Sequence, residues 1–248
     1  MLVKSEIKYI QNLSQKKFRD ESGLFVAEGP KIINELLSEG KTVLHRLYAT
    51  GEWENAYPSI AALLAPGECT TVTDAELERI SFLSTPNQVL GIFKKPVLAN
   101  LKISSDRLRL MLDTIQDPGN LGTIIRCADW FGITEILCSE ETADAYAPKV
   151  VQASMGSIAR VHIRYGSLEK FIQEHSGWTL YTAEMQGRPV SEMGKVQKGI
   201  LVIGNESRGI SPSLLAAAPH TSITIPRKGK ADSLNAAAAT AILLSHLT

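Results

Sequence analysis

The sequence predicts an α/β protein of two units, the second built on a mostly parallel sheet. Short apolar runs of strand length alternate with segments of helical period along most of the chain. That order puts helices on both faces of a parallel sheet. In the second half, three polar, glycine-bearing turns each stand directly behind an apolar strand. They are Asp117-Pro118-Gly119-Asn120-Leu121-Gly122-Thr123-Ile124-Ile125-Arg126, then Ile203-Gly204-Asn205-Glu206, then the run from Ile225 to Asn235. Open α/β sheets bind ligands outside the carboxyl ends of their strands, which is where such turns lie.

In the first unit, Lys4 to Phe18 has helical spacing, with Ile7, Ile10 and Leu13 on one side and lysines on the other. Leu24 to Ala27, after Gly23, reads as a short strand. Pro30 opens a helix that runs to Leu37 and closes at Gly40. Val43 to Ala49 is a second strand and Trp53 to Leu64 a helix. Thr73 and Glu76 stand at capping-box spacing ahead of Leu77 to Ile80, and Val89 to Phe93 closes the unit as a strand. The run from Lys94 to Ser105 is polar, carries Pro96 and has weak patterning. The units are therefore taken as 1–98 and 107–248, with a linker over 99–106.

The second unit is expected to have strands at 108–112, 133–138, 161–163, 179–183, 200–203 and 222–225. A helix from Asn120 to Phe131 follows the first strand, and a last helix runs from Leu234 to Leu247. The apolar stretch from Ala236 to Leu244 is too short to span a bilayer and reads as a buried helix. Met1 to Glu6 lack the apolar core of a signal peptide. Cys69, Cys127 and Cys138 are far apart and form no CxxC, which fits reduced thiols in a cytoplasmic protein rather than disulfides or a zinc site. No HExxH occurs, and no metal is expected. Lys plus Arg and Asp plus Glu are both 26, so formal charge is zero and a nucleic-acid partner needs local basic patches.

In the first turn, Asn120 suits a helix N-cap and Gly122 permits close backbone approach. Arg126, about two turns into the helix, reaches a phosphate or carboxylate if one binds there. A capped helix with a surface arginine is the other reading of the same residues, and both stay open. In the second turn, Ile210 stands where the P-loop pattern GxxxxGK[ST] has lysine, which argues against a nucleotide triphosphatase. Glu206, between two glycines behind a strand, is a site candidate. In the third, Arg227, Lys228 and Lys230 precede Asp232 and Ser233, either of which suits an N-cap. The run Ala236 to Ala239 reads equally as a close-packing surface or as helix propensity alone.

Taken together, the three turns resemble the motifs of the SpoU (TrmH) branch of the SPOUT methyltransferases, in order, at 117–126, 203–211 and 225–235. Phe25-Val26-Ala27-Glu28-Gly29-Pro30-Lys31 is similar to the segment that opens that family's L30e-like substrate-binding domain. The resemblance implies a C-terminal α/β domain with a deep trefoil knot and a smaller N-terminal L30e-like α/β domain. It further implies a homodimer through the C-terminal domain and S-adenosylmethionine as methyl donor. The activity implied is methylation of the ribose 2′-oxygen of RNA. By motif position, Asn120, Arg126, Glu206, Ser233 and Asn235 belong to the catalytic set. Gly204, Asn205, Ile225 and Leu234, with Asn235, belong to the cosubstrate site. RNA contacts fall to Arg126, Arg227, Lys228 and Lys230. Lys4, Lys8, Lys16, Lys17 and Arg19 add a candidate basic face on the first unit. Glu206 is expected to orient Arg126.

Ser207 and the Ala236-Ala237 pair depart from the residues common in relatives, and neither removes a side chain assigned to chemistry. A separate N-terminal unit favours rRNA as substrate. A tRNA 2′-O-methyltransferase, a base methyltransferase and a non-catalytic RNA-binding or ribosome-assembly protein retaining the fold are the alternatives.

Overall fold

The computed structural model describes residues 2–96 and 107–248. The expected linker at 99–106 lies outside the described residues. The chain forms two compact units.

The first unit begins with α1 (Lys4–Asn12) and α2 (Lys16–Ser22), where the periodicity suggests one helix. Arg19 explains the break. It is 2% exposed, and its Nη1 donates to the carbonyls of Leu13 (2.8 Å) and Ser14 (2.7 Å), acceptors that an unbroken helix would use internally. Arg19 therefore drops out of the expected basic face. Lys16 and Lys17 pair along α2 with Asp20 and Glu21.

Next come β1 (Leu24–Glu28), α3 (Pro30–Glu39) and β2 (Leu44–Ala49). The expected helix over Trp53 to Leu64 is two short ones, α4 (Gly51–Ala56) and α5 (Pro58–Ala61). Pro58 drives the preceding Tyr57 out of the helical region, to φ −129 and ψ 54. Then follow β3 (Cys69–Thr71), α6 (Asp74–Ile80) and β4 (Val89–Lys94). The capping box of Thr73 and Glu76 forms as expected. The four strands are ordered β1-β4-β2-β3, with β4 antiparallel to both neighbours and β2 parallel to β3. Glu28 ties the end of α6 to β1, accepting from the Ser81 hydroxyl and from the Phe82 amide at 2.9 Å. Burial pushes its carboxyl up, and those two donors pull it partway back.

In the second unit β5 (Leu108–Leu112) leads into α7 (Pro118–Trp130) and β6 (Glu135–Cys138). The following segment, Asp144–Arg160 with α8 (Pro148–Ser154), packs with the first unit instead. There Asp144 forms a buried 2.6 Å ion pair with Arg19, and Arg160 pairs with Glu35. The second unit resumes with β7 (His162–Tyr165), α9 (Leu168–Glu174), β8 (Leu180–Pro189), β9 (Gly199–Ile203), α10 (Pro212–Ala217), β10 (His220–Thr224) and α11 (Ala236–Leu247). Its six strands run β10-β8-β9-β5-β6-β7, every neighbouring pair parallel. Strands β5, β6 and β9 are buried along their whole length, as a sheet covered on both faces requires.

Helix α11 packs against α7, and its Ala236 and Ala237 are buried, so the alanine run serves close packing. Neither Asp232 nor Ser233 caps this helix. Asn235 does, its side chain accepting from the amides of Ala237 and Ala238. Among the described residues no helix is long and apolar enough to cross a membrane.

Candidate functional site

The three turns meet at the carboxyl ends of β5, β9 and β10. In the first, Asp117 rather than Asn120 caps α7, its Oδ1 accepting from the Asn120 amide at 2.8 Å. The aspartate can do this because Pro118 occupies the first helical position, where a missing N–H costs nothing. Asn120 is thus in the first helical turn, and its side chain is released to reach across to the other turns. Its Nδ2 donates to Glu206 Oε1 at 2.6 Å, and its Oδ1 accepts from Asn235 Nδ2 at 2.7 Å.

The direction of this relay follows from the helix cap. Asn235 Oδ1 holds two backbone amides of α11, at 3.0 and 3.2 Å, so only its NH₂ end can face Asn120. Asn120 must then accept with its oxygen and offer its own NH₂ to Glu206, whose carboxylate can accept. One capping interaction thereby sets the orientation of two amides and one acid.

The second turn is closed on itself. Asn205 and Gly209 exchange both backbone hydrogen bonds, at 3.0 and 2.9 Å. Asn205 Oδ1 accepts from the amides of Ser207 and Arg208, and its Nδ2 donates to the Thr114 carbonyl at 2.9 Å. Gly204 lies against this closure. A Cβ there would collide with the Gly209 carbonyl carbon and come within 2.5 Å of the Ile210 nitrogen. Asp113, buried at the end of β5, joins the first two turns by accepting from the Ser211 amide at 2.7 Å. Thr114 has φ +60, a strained setting for a β-branched residue, held at both ends by Ser139 Oγ and Asn205 Nδ2.

A cavity of about 1070 Å³ opens beside the second and third turns. Gly204, Asn205, Glu206, Ile225, Arg227, Lys228, Ser233 and Leu234 line it, all named from the sequence. Asn120 and Asn235 join it through Glu206. Arg126 and Lys230 are not in the lining. Arg126 is exposed and makes no hydrogen bond or ion pair among the described residues. The expected pairing of Glu206 with Arg126 is therefore corrected: Glu206 holds Asn120. Beside Arg126 on α7, burial pushes the Cys127 thiol up although the arginine charge pulls it down. Arg227 Nη1 donates to the Ala231 carbonyl across the third turn.

A second cavity, of about 620 Å³, carries Asp113, Glu140, Glu141 and Glu169 against Arg208 alone. That field repels a phosphodiester, so the first cavity is the better neighbour for a polyanion. Sequence reasoning missed Asp113, Thr114 and Glu184, the last a residue of the larger cavity's lining within β8. Asp113 directly follows an apolar strand, a signal that is present in the sequence. Thr114 gives none, because threonine does not advertise a left-handed backbone. Among the described residues no group of His, Cys, Asp or Glu is arranged to hold a metal ion.

A profile described as the SpoU rRNA Methylase family matches residues 107–245, and one described as an MRM3-like substrate binding domain matches residues 4–91. The chain is 30% identical over 245 residues to the 23S rRNA (guanosine(2553)-2′-O)-methyltransferase RlmP of Bacillus subtilis (strain 168), covering 98% of this chain and 95% of that one. An AdoMet-bound rRNA methyltransferase from Sinorhizobium meliloti superposes with a TM-score of 0.87 at 31% identity, over 99% of this chain and 95% of that one. A TrmH-family putative RNA methyltransferase from Porphyromonas gingivalis gives 0.83 at 35%, over 99% and 98%.

Replacing Gly204 with alanine forces a methyl group into the closure of the second turn. Overpacking of this kind costs about 1–3 kcal/mol, which lowers the thermal midpoint by roughly 2–12 °C in a unit of this size. Scanning fluorimetry of Gly204→Ala reads it directly. A midpoint equal to wild type contradicts the geometry.

Proposed function

The chain belongs to the SpoU rRNA methylase family, and from that premise we propose that it methylates the ribose 2′-oxygen of an rRNA nucleotide with S-adenosylmethionine as donor. The observation that carries the reading is the Asn235–Asn120–Glu206 relay at the edge of a cavity of ligand size. Relatives similar along nearly the whole chain support it: one is named as a 23S rRNA 2′-O-methyltransferase, and another was solved with AdoMet.

The residues present fit the donor. The cavity combines apolar walls, among them Ile203, Ile223 and Leu243, with a turn that needs glycine at 204 for its backbone to pack so closely. Gly204, Asn205, Ile225 and Leu234 would hold the donor, with Asn235 fixing the turn that carries Leu234. When bound, S-adenosylmethionine supplies an electrophilic methyl group on a positively charged sulfur. The chain's task is alignment of the sugar oxygen with that methyl, and positioning of this kind is worth on the order of 7–11 kcal/mol. We assign Arg126, whose planar guanidinium offers paired donors, to the phosphate beside the target ribose and to the developing negative charge on its oxygen. Its exposure on α7 suits contact with a bound chain. Arg227, Lys228 and Lys230, all exposed, extend that contact. Ser233, exposed at the cavity, positions the target ribose.

The rest of the reading follows the family. The second unit ties the deep trefoil knot, 107–248 does the chemistry, and 1–98 is the L30e-like domain that captures RNA. Two copies associate through the second unit, which is supported by Trp130 standing 83% exposed on α7. The free cysteines fit a cytoplasmic protein.

Incubating the protein with S-adenosylmethionine and rRNA, then cleaving in alkali, tests the reaction. A methylated ribose cannot use its 2′-oxygen to attack the adjacent phosphodiester, so one linkage becomes resistant. Arg126→Ala is expected to lose that protection while keeping donor affinity within about threefold. Transfer of methyl groups to RNA, followed with methyl-labelled donor, without any resistant linkage indicates base methylation and overturns the proposal. Sedimentation as a monomer at micromolar concentration contradicts the dimer.

A further inference from the structure

We infer that Glu184 reads the two adjacent hydroxyls of the methyl donor's ribose, an inference that rests on the cavity being the donor site. Glu184 sits where β8 stops pairing with its neighbours. Thr182 is the last β8 residue opposite β9, facing Val202. On the other side Ser222 pairs with Thr182, and the next residue, Ile223, pairs with Arg188. Residues 183–187 are thus released from the ladder in a bulge at the strand ends, where parallel sheets take their ligands. Gly187 permits this by backing onto β10, where a Cβ would come within 2.6 Å of the Ser222 carbonyl oxygen.

The carboxylate is fixed from behind. Its Oε1 accepts from the Thr182 hydroxyl at 2.6 Å and the Ser222 hydroxyl at 2.7 Å, one donor from its own strand and one from β10. His220 Nε2 stands 4.0 Å from the same oxygen. Oε2 has no hydrogen-bond donor among the described residues, and Glu184 lines the cavity. An acid locked by one oxygen, with the other unused, is built to accept from a ligand.

The chemistry of the walls selects which part of the donor it meets. The amino-acid end of the donor carries both signs of charge, and the third turn brings Arg227, Lys228 and Asp232 to the lining. Around Glu184 the lining is apolar: Met185 follows it, and Ile203 and Ile223 come next along β9 and β10 after the residues level with Thr182. Flat apolar surface suits the purine. A single carboxylate oxygen beside it matches the ribose diol, as acidic residues match ribose hydroxyls in dinucleotide sites.

Calorimetry on the full chain tests this with three ligands and Glu184→Gln, which keeps the shape of the side chain. The ligands are S-adenosylhomocysteine, its 2′,3′-dideoxy analogue, and 5′-deoxy-5′-methylthioadenosine, which has the diol but no amino-acid group. The variant is expected to bind the first and third about 10- to 100-fold more weakly than wild type, and the dideoxy analogue equally well. Equal loss on all three, or no loss on any, overturns the assignment, because a merely structural role does not distinguish hydroxyls. Loss confined to S-adenosylhomocysteine and its dideoxy analogue overturns it in favour of the ammonium group. Wild-type protein that binds none of the three, nor S-adenosylmethionine, overturns the donor reading itself. Glu184→Ala with an added Thr182→Val gives the same comparison if the glutamine variant is unstable.

Discussion

An amide side chain has one end that accepts and one that donates, and Asn235 commits the accepting end to the start of α11. The polar groups at the junction of the three turns inherit their direction from that choice. The NH₂ end must point at Asn120, so Asn120 must point its own NH₂ at Glu206. A neutral acceptor in place of Glu206 would leave a weaker terminus, since hydrogen bonds to a charged group are roughly twice as strong. Secondary structure and site are therefore one hydrogen-bonded object: unwinding the first turn of α11 frees the relay.

Close backbone contact holds the second turn in the same way. Gly204 lets two stretches of main chain touch, Asn205 closes them, and Asp113 moors Ser211 to the end of β5. Thr114 accepts left-handed strain as the consequence of standing between two such anchors. Strain of this kind persists where surrounding contacts over-determine the backbone, and it clusters at functional sites. Arg126, by contrast, is outside the relay and in solvent, free to meet a ligand that the protein alone does not supply.

The chain is most legible where a single residue has a single backbone use. Pro30 and Gly40 bracket α3, and Thr73 with Glu76 starts α6, as the local rules demand. The buried parallel strands read clearly because apolar side chains fill them on both faces. Legibility fails where a distant group overrides local pattern. Periodicity alone cannot see that Arg19 stops α1, nor that Pro58 cuts a helix whose apolar spacing continues past it. The caps of α7 and α11 escape local assignment because Asp, Asn and Ser are near-equal caps in isolation. Only the turn geometry distinguishes Asp117 from Asn120, or Asn235 from Ser233. The site residues are legible because three turns lie behind strands. Glu184 is hidden inside a strand, in a bulge that no alternation pattern announces.

The coupling between the turns is open to a double-mutant cycle on S-adenosylmethionine affinity, using Asn120→Ala, Asn235→Ser and the pair together. Serine keeps a capping oxygen for α11 and removes the amide that reaches Asn120, so the cycle isolates the relay from the cap. With the relay intact as one unit, the double variant loses little more affinity than the worse single one, a coupling of about 1 kcal/mol or more. Losses that add to within about 0.5 kcal/mol would mean that the turns act separately and that the relay does not organise the site.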